Sequence, residues 1–520
     1  MLLLIPIIIL LLVPVIMLAL GRLQRPFRYF WLLAAGAAFL AWLSVWVLRI
    51  RLDAAFQLSQ WRPLELFDQS PALAVDAFSW PFAIALSTIT LAIILTDIGR
   101  AEEADWYSWA SSLALAALGL VAILSANLIT LVLAWTIIDV LEFLVLLPYL
   151  TSDQDRRNLV IHSFTNLLGT MFLLWASVSA QSLGLSFQFA FIPASVSVYV
   201  LLALGLRMGV LPLNVFFLQE PQLRRGLGTL LRMVSASASL VLLTRVAVAG
   251  VSSNWQWLLM LLALVAAWYA SFAWLRANNE LEGRPYWILG IASFAFAAAM
   301  RTQPGAVMAW GLALLLVGSL AFLASTREWR LALVGGLGLV GITTLPFTAA
   351  QNGAVLFASP FNVLSLGFLV PQAVLLLGFV RHGLRQSNTL EGVERWVRIL
   401  YPIGLLLLPI THWAVSTVLL PELPSPATRL WWPGVAVLLL GGGLYGLSRV
   451  LPPIPVALFD ALQYVFSFEW LFRLANAIFQ LVSRLYAIPV MLFEGEAGLL
   501  WTLLFLALLF TLFTQLGIGA

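Results

Sequence analysis

The sequence has no cysteine and no lysine. The first absence excludes disulfides and cysteine-ligated iron–sulfur clusters, so the chain is not expected to carry electrons itself. The second means that all 27 basic side chains are arginines, which stay protonated and cannot load and release a proton as a buried lysine does. Charge of either sign is scarce: 10% of the 520 residues are charged, and histidine occurs three times. Neither a Ser-His-Asp arrangement nor a metal-ligand constellation is present in this inventory. The glycine run GGGLYG, Gly441 to Gly446, has no strand before it and reads as close helix contact rather than a nucleotide loop.

What is abundant is apolar surface. Hydrophobic residues make up 62% of the chain and the mean hydropathy is +1.00, outside the range of soluble domains. A soluble core cannot hide that much, whereas a hydrocarbon layer of about 30 Å asks for apolar runs of about 20 residues joined by short polar turns. The pattern predicts an all-α polytopic membrane protein with about 16 transmembrane helices. The first apolar run, residues 2–20, lacks a preceding basic residue and a small-residue cleavage site, so it reads as a helix rather than a signal peptide.

Arginine placement orients the chain. With the N-terminus outside, 19 arginines fall in inside loops, five (Arg49, Arg51, Arg62, Arg301 and Arg429) fall outside, and three (Arg207, Arg232 and Arg245) lie within spans. Both termini are then on the outer side of a plasma, or inner, membrane. One segment breaks the rhythm: residues 456–496 mix aromatics with Asp460, Glu469, Arg473 and Arg484 at helical spacing. That suits an amphipathic helix lying on the cytoplasmic surface; the alternative is a long connection with no special role. A final transmembrane helix occupies 497–520.

Ionisable residues at membrane depth are costly and are read first as functional. LAWTIIDVLEFLVLLPYL sets Asp139 and Glu142 one turn apart on span five, and LGLRMGVLPLN puts Arg207 and Pro212 in span seven. An acid on one helix and a base on another, two spans later, form a plausible ion pair, and the proline frees a backbone carbonyl for water or charge. The alternative is a buried pair that only fixes packing. His162, His382 (placed in an inside loop) and His412 read as structural histidines, and Ser235, Ser237 and Ser239 as helix contacts.

At this point the residues resemble a family. LAVDAFSWPF, with Asp76 and Ser79, opens span three; the acid-bearing span five carries Trp135; GLRMGVLPLN lies on span seven, before a serine-rich span eight. ITTLPFT, Ile342 to Thr348, and a surface helix before one last span complete the series. In order and spacing these are similar to the antiporter-like membrane subunits of respiratory complex I, Mrp-type cation/proton antiporters and membrane-bound hydrogenases.

The resemblance implies two inverted five-helix repeats with broken helices, 108–248 and 249–381, between N-terminal helices 1–107 and C-terminal helices 382–455. It also implies a proton or sodium path through Asp76, Thr136, Asp139, Glu142, Arg207 and Pro212, with other membrane subunits of such an assembly and the lipid membrane as partners and no nucleic acid. No cofactor is implied, and the chain is at most a non-catalytic membrane subunit. The departures are specific. Thr136 stands where the family has a glutamate directly after the tryptophan; Arg207 replaces a lysine; span eight offers only Thr244 and Arg245; and AAQNG, Ala349 to Gly353, is neutral where a charge is expected. Two readings follow: ion translocation through a degenerate charge pathway, or a transport-inactive scaffold of the same fold. A lone secondary transporter lacks its polar cluster at the midplane.

Overall fold

A helix that is apolar on every side can face lipid or be enclosed by protein, and Ser79–Asp97 is enclosed: in the computed structural model every one of its residues is buried. Its hydroxyls are compatible with such a site because Ser87, Thr88, Thr90 and Thr96 donate to carbonyls of their own helix at 2.7–3.0 Å. The structure describes residues 2–22, 29–58, 70–100, 106–150, 152–185, 189, 192–211, 224–325, 329–358, 360, 362–385, 393–419, 430–448, eight positions between 473 and 484, and 496–515.

In chain order the helices begin with α1 (Ile5–Gly21) and α2 (Phe30–Leu48), followed by strands β1 (Ala55–Gln57) and β2 (Ala72–Ala74). Then come α3 (Ser79–Asp97), α4 (Trp106–Ile123), α5 (Leu128–Leu146), α6 (Asp153–Ser182), α7 (Ser197–Met208), α8 (Arg225–Ala249), α9 (Ser253–Arg276) and α10 (Glu280–Met300). The remainder comprises α11 (Pro304–Leu312), a π-turn at Ala313–Val317, α12 (Gly318–Leu323), α13 (Trp329–Gly341), α14 (Val363–Leu366) and α15 (Leu369–Gly383). Last are α16 (Arg395–Trp413), a second π-turn at Ala414–Leu419, α17 (Trp432–Ser448) and α18 (Glu496–Gln515). Among the described residues, 11 helices are long and apolar enough to cross a membrane, and shorter apolar helices stand beside them. This is an all-α multi-pass membrane fold.

The chain forms two compact units, Met1–Ile454 and Pro455–Ala520. In the first, α3 is enclosed by α2, α4, α8 and α16, while α7 packs on α6 and α8, and α9 on α10 and α15. In the second, α18 is described, with scattered helical positions such as Leu474, Ile478 and Leu481. The rest of the expected surface helix, residues 456–496, lies outside the described residues, as does Pro212.

Three local features depart from the sequence reading. Between α2 and α3, where only a loop was expected, β1 and β2 pair antiparallel with Ala55 opposite Ala74 and Gln57 opposite Ala72. Asn127, which N-caps α5 through the Thr130 amide, donates to the Ser70 carbonyl at 2.7 Å and so ties this ribbon to α5. His382 belongs to the last turn of α15, not to a loop, and its Nε2 is 2.9 Å from the Trp274 carbonyl oxygen. The span expected over 329–348 ends at Gly341, followed by Thr344 and Phe347 at φ +58° and +65°. Such values are strained for side-chain-bearing residues.

Candidate functional site

Helix periodicity explains which residues of α5 share a face. Trp135, Asp139 and Glu142 are separated by four and three positions, so at 100° per residue they fall within one narrow stripe. Trp135 and Glu142 are buried there. Thr136, one step further round from Trp135, is turned to the exposed side and donates back to the Val132 carbonyl at 2.8 Å. The structure therefore does not bring Thr136 to the other candidate residues.

Facing this stripe, Arg207 sits in the last turn of α7. Its two terminal nitrogens donate to the Asp139 carboxylate at 3.0 and 2.7 Å, a two-pronged pair that matches the guanidinium fork. The Arg207 side chain is 0% exposed and that of Asp139 is 15% exposed. The cation also lies over the Trp135 ring, 4.3 Å from its centroid. Close approach of α6 depends on Gly169, where an added Cβ would come within 3.0 Å of the Ala203 carbonyl and 3.2 Å of Arg207 Cγ.

α7 stops immediately after Arg207. Gly209 adopts φ +77°, a left-handed conformation that glycine takes without steric cost, and the Val210 amide closes back on the Gly205 carbonyl at 2.8 Å. The helix end expected from Pro212 is thus already made by Gly209. A glycine at this position, two residues after the arginine, is the signal that would have located it.

The α6 face completes the group with two residues that the sequence reading did not place there. His162 Nε2 is 3.2 Å from Glu142 Oε1 and 3.3 Å from Asn166 Nδ2. Asn166 Nδ2 also reaches Asp139 Oδ1 at 3.4 Å. His162 and Asn166 are one turn apart on α6, and that spacing is the sequence signal they carried. Two proton arrangements compete at this junction. With the proton on His162, Nε2–H donates to Glu142 and Asn166 is left to donate to Asp139. With the proton on Glu142, the carboxyl donates to the single Nε2 lone pair, and Asn166 again donates to Asp139. Asn166 therefore stands between the Glu142–His162 contact and the Asp139–Arg207 pair.

A cavity of about 70 Å³, room for a few waters, opens beside this group. It is lined by Glu142, His162, Arg207, Arg232 and Ser235 together with apolar residues of α10. Ser235 accordingly faces the cavity, while Ser237 and Ser239 donate to their own helix at 2.8 Å.

Asp76 belongs to a separate cluster. Its Oδ1 accepts from the amides of Phe78 and Ser79 at 3.1 and 2.7 Å, in the turn that leads into α3, while Ser79 Oγ accepts from the Asp76 amide at 3.0 Å. The other carboxylate oxygen pairs with Arg245 of α8 at 2.8 Å. Arg245, considered in the sequence only as an absent lysine, is thus the fixed partner of Asp76. Among the described residues no group of three His, Cys, Asp or Glu side chains is arranged to hold a metal ion.

The sequence matches no protein-family model and no curated protein. The fold, however, is shared with chains of known structure. One belongs to the Mrp complex of a Dietzia species: 15% identity, TM-score 0.65, over 95% of this chain and 63% of that one. This chain therefore spans less than two thirds of that relative's length. A chain of the archaeal membrane-bound sulfane sulfur reductase, a respiratory membrane complex, superposes with TM-score 0.62 at 15% identity over 97% of this chain and 100% of that one. A chain of respiratory complex I from Thermus thermophilus, solved with bound aureothin, gives TM-score 0.58 at 16% identity over 79% and 98%.

Proposed function

We propose that this chain is an antiporter-like membrane subunit of a larger redox-driven or antiporter complex, and that it passes protons through its first half. The observation that carries the reading is the Glu142–His162 contact at 3.2 Å beside a cavity, joined through Asn166 to the locked Asp139–Arg207 pair. A charge that is to move needs a group outside the arginine fork, and in this cluster those groups are Glu142 and His162, since both oxygens of Asp139 accept from Arg207. The proton is favoured over sodium because Arg207 and Arg232 both line the cavity. Two cations repel a third, whereas an imidazole lone pair takes a proton without assembling an oxygen cage.

The three structural relatives come from multi-subunit membrane complexes, which supports membrane subunits as partners. Helix ends at Met208 and Gly341 support two repeats, 108–248 and 249–381, each with a broken helix. The arginine count supports termini on the outer side of a prokaryotic inner membrane. Asp76 in this reading anchors the start of α3 to α8 and shapes the outer end of the path.

A transport-inactive scaffold is the second reading. It is favoured by the helices from α11 to α17, which contain no aspartate or glutamate. Purification through a C-terminal tag, with mass spectrometry of what accompanies the chain, tests membership of a complex. Proton flux in vesicles holding the purified complex then separates the two readings. Loss of flux in Asp139→Asn and Glu142→Gln at unchanged assembly supports translocation; wild-type flux in both supports the scaffold.

A further inference from the structure

The second half of the chain poses a problem for any moving charge. The helices α11 to α17 themselves hold no carboxylate, lysine or cysteine, the acids of this half, such as Glu394, lying in the connections between them, and arginine does not titrate. The tyrosines and histidines remain. Tyr401 is tied down by the Ser325 amide at 2.8 Å and the Leu323 carbonyl at 3.2 Å; Tyr445 is exposed; and His382 is held on the Trp274 carbonyl. His412 of α16 is different: it is 0% exposed, and among the described residues neither ring nitrogen meets a hydrogen-bonding group. Burying an imidazole in this way is costly unless its nitrogens find partners.

Its surroundings are unusual in three respects. The imidazole rests against the stop of α13, where a Cβ on Gly341 would lie 3.2 Å from His412 Nδ1. Beyond that stop the backbone turns through the strained, fully buried Thr344, whose hydroxyl is 3.3 Å from Gln372 Nε2, and Gln372 Oε1 is buried with no partner. Finally, the π-turn Ala414–Leu419 begins two residues after His412 and contains Ser416, again buried with an unpartnered hydroxyl. Ser416 is one turn from His412 on the same face, and π-turns concentrate at functional positions of helices.

Building on the proton-translocating reading, we infer that His412 is a second proton-carrying station, supplied to the second half by α16. It exchanges protons with water held between its ring, the Ser416 hydroxyl and the α13 stop. A neutral imidazole accepts at one nitrogen and donates from the other, so a proton entering on one side releases one on the other and no net charge is stored. No carboxylate faces it among the described residues. α3 presents Thr88, bonded to Thr411 at 3.4 Å, α13 presents Gly341, and the π-turn Ala313–Val317 is apolar. Asp97 of α3 and Tyr401 of α16 lie nine residues beyond Thr88 and eleven before His412, about 13 and 16 Å along their helices.

Two measurements test this. In vesicles containing the tag-purified complex, His412→Gln and His412→Leu are expected to lower proton flux at least about tenfold at equal amounts of assembled complex. Wild-type flux in either variant overturns the inference. Independently of transport, nitrogen-15 NMR of histidine-labelled chain, with the His412 signals identified by their loss in His412→Gln, reads exchange of its ring proton with heavy water. Exchange within minutes supports a hydrated station; protection matching the buried α3 amides overturns it. If flux is insensitive to Asp139→Asn and Glu142→Gln, the first-half reading has failed, and the NMR result still decides the role of His412.

Discussion

Replacing Arg207 by methionine removes both hydrogen bonds to Asp139 and the cation over Trp135 while keeping most of the side-chain volume. The stranded Asp139 carboxylate then keeps only the 3.4 Å contact from Asn166. Breaking a buried pair by deleting one partner costs about 3–5 kcal/mol, and loss of the cation–π contact adds roughly 0.5–2 kcal/mol. Asp139→Leu strands the guanidinium instead and is expected to fall in the same range. The double variant Asp139→Leu/Arg207→Met leaves no buried charge at this point, and apolar replacements of whole pairs are often neutral or stabilising. A double-mutant cycle on the purified chain, read by unfolding in detergent micelles, is therefore expected to show a coupling of at least about 3 kcal/mol. Single variants that add to within about 0.5 kcal/mol refute the reasoning, because sites that do not share an interaction behave additively. Stability and transport are expected to part company in the double variant, which regains the fold without regaining flux.

Gly169→Leu drives a branched side chain into the Ala203 carbonyl and Arg207 Cγ, and is expected to cost about 1–3 kcal/mol of unfolding free energy by overpacking. Gly209→Val places a β-branched residue at φ +77° and is expected to destabilise by roughly 1–2 kcal/mol or more, read in the same unfolding assay. Asn166→Leu keeps the volume and both charge pairs but removes the link between them. Its flux is expected to fall with little change in unfolding midpoint, and equal flux in this variant would show that the two pairs act separately. Asp76→Ala removes the carboxylate that accepts from the Phe78 and Ser79 amides and pairs with Arg245, and is expected to cost about 1.5–3 kcal/mol in the same unfolding assay.

Several levels of this organisation are legible in the residues alone. Apolar run length and the scarcity of charge dictate a multi-pass helical protein, because hydrocarbon leaves no alternative for backbone hydrogen bonds. The rarity of acids at depth singles out Asp139 and Glu142 in α5 and makes Arg207 their natural counter-ion, since each would be prohibitive alone. Thr136 shows the limit: a position taken from a family motif ignores the 100° step that turns it out of the cluster.

Three-dimensional contact decided the rest. Whether Arg207 takes Asp139 or Glu142 depends on the rotation and height of α7 against α5, which helical periodicity does not specify. Glu142 then finds His162, and Asp76 finds Arg245, 169 positions away in the chain. His412 was indistinguishable from a packed structural histidine until its neighbours were known, because what sets it apart is that its two nitrogens have no hydrogen-bonding partner among the described residues. Membrane insertion is written in local composition, because each span meets lipid largely on its own terms. The pairing of charges is settled only when helices distant in sequence bring their polar faces together away from the lipid.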